Sequence, residues 1–230
     1  MTANIYYLKA RLFPTVLTSI PTLILYNKSV ASLYHDKLEN IYIALPTITD
    51  VIFSGAIIFL LVQINRFLSK EIFQQLYFKD ETNMPTTNYL LKSNNQIETS
   101  IKQKIEDKIR SMFNISLLSA TEESDDEPRA RKLIATTVSQ IRNVLRDNTL
   151  LLQHNIEYGF FRNLIGGSFL AFVISLIIVV SSLFTCDIAT RNLGFILTLI
   201  YIFPILLSKV LINRYGKYYA KILYEQFLTI

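Results

Sequence analysis

The sequence predicts an all-α integral membrane protein with four transmembrane helices, both termini in the cytoplasm, and a cytoplasmic helical region between the second and third spans. Three observations predict it. Apolar residues, 51% of the 230, gather in long runs while charged residues make up only 18%, the distribution of a membrane protein and not of a larger soluble core. Lys and Arg flank those runs on one side far more than on the other. Between the second and third runs lie two stretches with helical apolar periodicity.

The first span falls at roughly Leu12 to Tyr26. That is short of the about 20 residues needed to cross, so Tyr6, Tyr7 and Leu8 are expected to extend it, with Lys9 and Arg11 reaching toward the headgroups. Pro14 and Pro21 interrupt the run and no A-x-A-like site follows, which favours a retained helix over a signal peptide. The second span lies within Ile41 to Leu68, with a clean core from Val51 to Ile64 closed by Arg66. The third runs from about Leu164 to Phe184. The fourth runs from Leu193 to Ile212, with a kink expected at Pro204. No period-2 alternation is present, and a lone segment in hydrocarbon must satisfy its own backbone, so these are helices and not barrel strands.

Charge placement orients them. Lys28 and Lys37 lie in the first short loop and Arg191 in the other. On the opposite side fall Lys9, Arg11, Arg66, Lys70, Arg162, Lys209, Arg214, Lys217 and Lys221, which marks that side as cytoplasmic. The expected organisation is a transmembrane hairpin over 1–66, a cytoplasmic sensor or gating region over 67–162, and a second hairpin with a C-terminal tail over 163–230.

Within the middle region, Ile97, Ile101, Ile105, Ile109 and Phe113 are spaced by four and form a stripe that drifts slowly around a helix over Gln96 to Phe113. Ser93 with Gln96 resembles a capping box at its start. A second helix is expected to begin near Pro128, with Ser124 and Glu127 as its capping box and the run Glu122, Glu123, Asp125, Asp126, Glu127 at the positive end of its dipole. That run lacks the spacing and central Gly of a calcium loop. Ile134, Val138, Ile141, Leu145 and Leu152 continue a stripe along the second helix, which is expected to run toward span three with a bend only at Gly159.

No catalytic signature is present: no G-x-S-x-G, H-E-x-x-H or Walker loop. The expected topology puts His35 and His154 on opposite sides of the membrane. The one cysteine, Cys186, builds neither an intrachain disulfide nor a thiolate cluster. The expectation is therefore a non-enzyme without cofactor or metal. Polar residues inside the spans are the candidates for function. Thr15, Thr18, Ser19 and Thr22 share one stripe of span one, which would line water, bond between helices or bond back to the helix's own backbone. Ser168, Ser175 and Ser182 repeat every seven residues along span three and read as a close-packing seam. Asp50 is either an acidic pore residue or a cap in the first turn of span two.

The segment after span two carries a resemblance. Its pieces are Glu71-Ile72-Phe73, then Met84-Pro85-Thr86-Thr87-Asn88-Tyr89-Leu90-Leu91, Glu123 through Ala130, Ile141-Arg142, Arg146-Asp147-Asn148, and Asn155 through Gly166. In this order, over roughly residues 65–168, the chain resembles four-span membrane effectors of bacterial anti-phage operons built around a nucleotidyltransferase, such as those of the Hailong system and the SMODS-associated four-helix effectors. The P-T-T and N-x-x-Y-G-F-x-R-N-L blocks are its most specific parts. Related sequences carry a Trp-Gly-Gly-like element ahead of the P-T-T block; here that place holds Lys79-Asp80-Glu81-Thr82-Asn83.

The resemblance implies a homo-oligomeric ion channel of the bacterial inner membrane that depolarises the infected cell. It would be gated by a partner enzyme's nucleotide product, a short single-stranded DNA oligomer or a cyclic oligonucleotide, and not by duplex nucleic acid. The net charge of +5 suits a phosphate ligand. Ligand or gating candidates are Thr86, Thr87, Lys92, Arg142, Arg146, Tyr158, Phe160, Arg162 and Asn163, with Tyr89 and Phe161 as further stacking surfaces. A small transporter subunit and a scaffold for a soluble partner are the alternatives.

Overall fold

The computed structural model describes residues 2–31, 46–79 and 81–230. Among these the regular structure is helical throughout. We label α1 (residues 2–31), α2 (46–78), α3 (Pro85–Asn88), α4 (Thr99–Phe113), α5 (Ala120–Asp125), α6 (Glu127–Val144), α7 (Thr149–Thr185), α8 (Ile188–Leu206) and α9 (Ser208–Thr229). Three stretches are long and apolar enough to cross a membrane: Asn4–Lys28 in α1, α7 and α8. The expected second span coincides with the 23-residue helix Pro46–Leu68 at the head of α2. His35, Lys37 and the beginning of that span at Ile41 lie outside the described residues.

The chain forms two compact units. One combines residues 1–6, 74–159 and 209–230; the other combines 7–73 and 160–208. The first is called the helical unit here and the second the apolar unit. Residues 209–230, which the hydropathy pattern attaches to the last hairpin as a tail, pack in the helical unit.

The core of the helical unit joins three amphipathic stripes. Ile105 and Ile109 come from α4, and Ile134, Val138 and Ile141 from α6. The third stripe, Tyr219, Ala220, Leu223, Tyr224 and Phe227, comes from α9. The drift expected along α4 is visible: Ile105 and Ile109 are fully buried, while Ile101 is exposed.

Local signals differ from the expected ones in four places. The side chain of Glu98 caps α4 by accepting from the amides of Ser100 and Ile101, whereas Asn94 Oδ1 accepts from the Gln96 amide in the loop before it. A capping box does occur in the acidic stretch, but it is Ser119 with Glu122, and it starts the separate short helix α5. Asp126, not Ser124, then caps α6, with Pro128 in the first turn. Finally, α6 stops at Val144, and Asn148 starts α7 by accepting from the Leu151 amide at 2.9 Å. The helix then runs unbroken through Gly159 to Thr185. Its 37 residues span about 55 Å at 1.5 Å per residue.

In the apolar unit, α7 turns directly into α8 through Cys186, whose φ is 55°. A Cβ on Gly194 would sit 2.8 Å from Val179 Cγ2, so the two helices meet over a residue with no side chain. Pro204 lies inside α8, which ends two residues later; Ile212, expected at the end of span four, belongs to α9. Ser168, Ser175 and Ser182 are all buried. Ser175 and Ser182 donate back to carbonyls of their own helix, as hydroxyls in apolar surroundings do.

The α7–α8 turn is tied to the end of the Asn4–Lys28 stretch. Lys28 Nζ lies 2.7 Å from Asp187 Oδ2 and also donates to Thr190, while Asp187 caps α8 through the Thr190 amide at 3.0 Å. The hydrogen bond from Lys28, aided by those from Thr190, holds the Asp187 carboxyl well below the usual carboxylate range. A carboxyl lowered in the folded state contributes its stability above its unfolded pKa, and loses it as pH falls toward the folded one. Asp187→Asn is therefore expected to melt below wild type at neutral pH. The gap should close as pH drops below about 4, as followed by thermal unfolding in detergent.

Candidate functional site

Two prolines organise the interior of the apolar unit. A proline has no N–H to give to the carbonyl four residues back. Pro14 thereby leaves Ala10 O, and Pro21 leaves Leu17 O, without their usual helical donors. In apolar surroundings such a carbonyl must be satisfied from elsewhere. Asn163 Nδ2 of α7 donates to Ala10 O at 2.7 Å, and the hydroxyl of Tyr201 of α8 donates to Leu17 O at 2.6 Å. The chain ahead of Pro14 widens to π-type turns over Tyr7–Leu12.

A second polar cluster adjoins the first. Asn65 of α2, 2% exposed, donates to Thr15 Oγ1 at 3.2 Å and Thr18 Oγ1 at 3.1 Å. Ser69 donates to Asn163 Oδ1 at 3.0 Å. The glycine pair of α7 permits this: a Cβ on Gly166 would lie 2.6 Å from Asn65 O, and one on Gly167 would lie 2.4 Å from Thr18 Oγ1.

Thr15, Thr18 and Ser19 are buried, and their hydroxyls donate to carbonyls of their own helix. Thr15 and Thr18 thus bond back to their own helix and also accept from Asn65 of α2. Thr22 Oγ1 is buried without a hydrogen-bond partner among the described residues. Asp50 falls after the first turn of Pro46–Leu68, and its side chain lies outside the described residues.

The helical unit holds the P-T-T segment. Thr86 and Thr87 are buried in α3. The Tyr224 hydroxyl donates to Thr86 O, and Arg142 Nη2 lies 3.4 Å from Thr86 Oγ1. The Arg142 guanidinium sits over the Tyr219 ring, 5.6 Å from its centre, and burial pushes the Tyr219 phenol up. Tyr158 packs where Gly216 of α9 meets Pro85.

Two long cations then fix the loops on either side of α3. Arg131 donates to Thr82 O at 3.0 Å and Asn88 Oδ1 at 2.6 Å, while pairing with Glu127 at 2.6 Å. Lys102, 5% exposed, donates to Leu91 O and Asn94 O, both at 2.6 Å, and burial lowers its ammonium pKa. Lys92 pairs with Glu106 at 2.5 Å. The amides of Lys92 and Ser93 donate to Glu123, so this member of the acidic run is engaged in the core.

These loops wall a cavity of about 480 Å³ within the helical unit. Lys79 and Lys217 bring positive charge to it. Asn83, Asn88, Asn94, Gln96 and Asn213 supply amide edges. Tyr77, Phe78 and Tyr89 supply ring surface. None of the described residues that line it is acidic.

Of the ligand-binding candidates that the sequence suggests, the structure joins Thr86 to Arg142 and places Tyr158 against the same region. Thr87 is buried in α3, and Lys92 is occupied by Glu106. Arg146 is exposed just after α6. Phe160, Arg162 and Asn163 belong to the apolar unit, where Phe160 packs edge-on against Phe161 with ring centres 5.3 Å apart. Sequence reasoning missed Lys79, Asn213 and Lys217. Comparison with family models, with curated proteins and with solved structures found no match.

Among the described residues the chain is all-helical, with three helices long and apolar enough to span a membrane, joined internally by side chains that bond proline-freed carbonyls. Asn163→Leu is expected to cost about 1–3 kcal/mol by leaving Ala10 O without its side-chain donor. In a Pro14→Ala background, where the backbone regains an N–H for that carbonyl, the same change should cost about 1 kcal/mol less. A double-mutant cycle of denaturation in detergent measures the difference, and additive costs would refute the pairing.

Proposed function

We propose that the chain is a four-span effector of bacterial anti-phage defence, acting in the inner membrane as a homo-oligomeric ion channel under the control of a nucleotide-derived ligand. The spans are the Asn4–Lys28 stretch, Pro46–Leu68, the apolar part of α7, and α8. One observation carries the topology. Residues 1–6, 74–159 and 209–230 pack in a single unit, which supports a chain whose two intervening stretches each leave and return on the same side of the membrane. In this reading Pro46–Leu68 crosses as well, so that each stretch holds two crossing helices. The Lys28–Asp187 pair supports it, because it joins the connecting end of one hairpin to that of the other. The excess of Lys and Arg assigns the helical unit to the cytoplasm.

The ligand-gated reading is supported by α7, one uninterrupted helix that supplies residues to both units. Rearrangement of the helical unit thus has a hydrogen-bonded route into the spans. Asp50, near the start of Pro46–Leu68, is the acidic residue proposed to face the ion path.

The unique cysteine tests the topology. Cys186 is expected to react with a membrane-impermeant maleimide added outside spheroplasts. Ser124→Cys in a Cys186→Ser background should react only after permeabilisation, and the reverse pattern would invert the topology. Purified protein in liposomes should pass small cations, with a flux that responds to the partner enzyme's nucleotide product and falls in Asp50→Asn. Vesicles that stay ion-tight with and without that product would end the channel reading.

A further inference from the structure

We propose that the cavity walled by the loops around α3 is a binding site for a single nucleotide unit: one heteroaromatic ring carrying phosphate. The consequence for gating rests on the channel reading above; the binding does not. At about 480 Å³ the cavity falls in the range of small-molecule sites, roughly 300–1,000 Å³, and is too small for an oligonucleotide beyond one terminal unit.

Its chemistry selects the ligand class. Lys79 and Lys217 come from distant parts of the chain and both line the cavity, offering ammonium donors to phosphate oxygens. Tyr77 and Tyr89 offer ring faces, on which any base can stack. The amides of Gln96 and Asn213 present both donors and acceptors, as the edge of a base requires. A purely apolar ligand would leave these amides and ammoniums unpaired, and a metal ion would find no carboxylate among the described lining residues.

The walls are also held in place before any ligand arrives. Arg131 holds Asn88, whose own amide donates to Asn83 O at 2.9 Å. Lys102 holds the Asn94 carbonyl. Neither cation is among the lining residues; both position groups that are. Such prior ordering lowers the entropy cost of binding. Lys79 adds a second sign of function. Its backbone has φ 56° and ψ −52°, a conformation that costs a non-glycine residue energy and that clusters at ligand sites.

The test uses full-length protein in nanodiscs of neutral phosphatidylcholine, with ATP, GTP, CTP and UTP titrated separately and inorganic phosphate as the ringless comparison. At least one nucleoside triphosphate should bind saturably and more tightly than inorganic phosphate. Lys79→Gln/Lys217→Gln should weaken that binding by about tenfold or more, while Lys132→Gln, which removes an exposed charge elsewhere, should not. Melting temperatures near that of wild type establish that the variants are folded, and Tyr77→Ala alone provides a second, charge-neutral test. Nanodiscs with anionic lipid distinguish the other source of phosphate. If that lipid occupies the site and no nucleotide binds in its absence, the assignment is overturned. It is overturned equally by no saturable nucleotide binding, or by wild-type affinity in the double lysine variant. Saturable binding without any change in ion flux would leave this site standing and remove ligand gating through it. A channel that opens with the partner's product but without nucleotide binding here would keep the channel reading and overturn this site.

Discussion

The apolar unit depends on making good the hydrogen bonds that two prolines withhold. Pro14 and Pro21 are costly inside a helix, because each withholds the N–H that the carbonyl four residues back, Ala10 O or Leu17 O, would otherwise accept. The donors arrive from later in the chain, as the amide of Asn163 and the phenol of Tyr201. Each is directional and each is tied to one register of its helix, so together they set how α7 and α8 meet α1. Apolar packing alone specifies such contacts weakly in a membrane, where lipid is as apolar as any neighbouring helix. The glycines at 166 and 167 are the steric half of the same arrangement, since without them Asn65 and Thr18 could not lie so close to α7.

The helical unit follows a different logic. Its core is an ordinary one of stripes turned inward, driven by burial of apolar surface. Its polar features lie around α3, where Arg131 and Lys102 bond loop carbonyls that no helix would satisfy. Those loops are thus ordered by side chains instead of by regular structure, and they enclose a concave polar surface beside a well-packed core.

Much of this was legible in the sequence and some was not. The apolar runs marked the long helices directly, and the fourfold spacing from Ile97 to Phe113 marked α4. Helix ends were less readable because cap signals compete. Ser124 and Glu127 have the same spacing as Ser119 and Glu122, and only the folded chain shows that Asp126 takes the first role for α6. The break at Asn148 was hidden by an apolar stripe that continues through it to Leu152. Gly159, where the sequence suggests a bend, lies within the continuous helix α7. The C-terminal helix carried a usable signal, since Tyr219, Leu223 and Phe227 recur at helical spacing. Periodicity says that a face is buried and not what buries it, so its place beside α4 and α6 was not evident. The cavity was the least readable feature, because Lys79 and Lys217 line it together only after two distant stretches, 77–96 and 213–217, have packed.

That packing has a consequence for how the protein is made. Translation delivers α4 and α6 to the ribosome's exit well before α9, and everything in residues 160–208 is synthesised in between. Until α9 emerges, Ile134, Val138 and Ile141 lack the partners that complete their core, and the wall holding Asn213 and Lys217 does not exist. The helical unit therefore matures only after the last apolar helix has been made. A chain halted before residue 208 carries an uncovered apolar face that proteolysis and chaperones recognise, which ties quality control of the helical unit to α9.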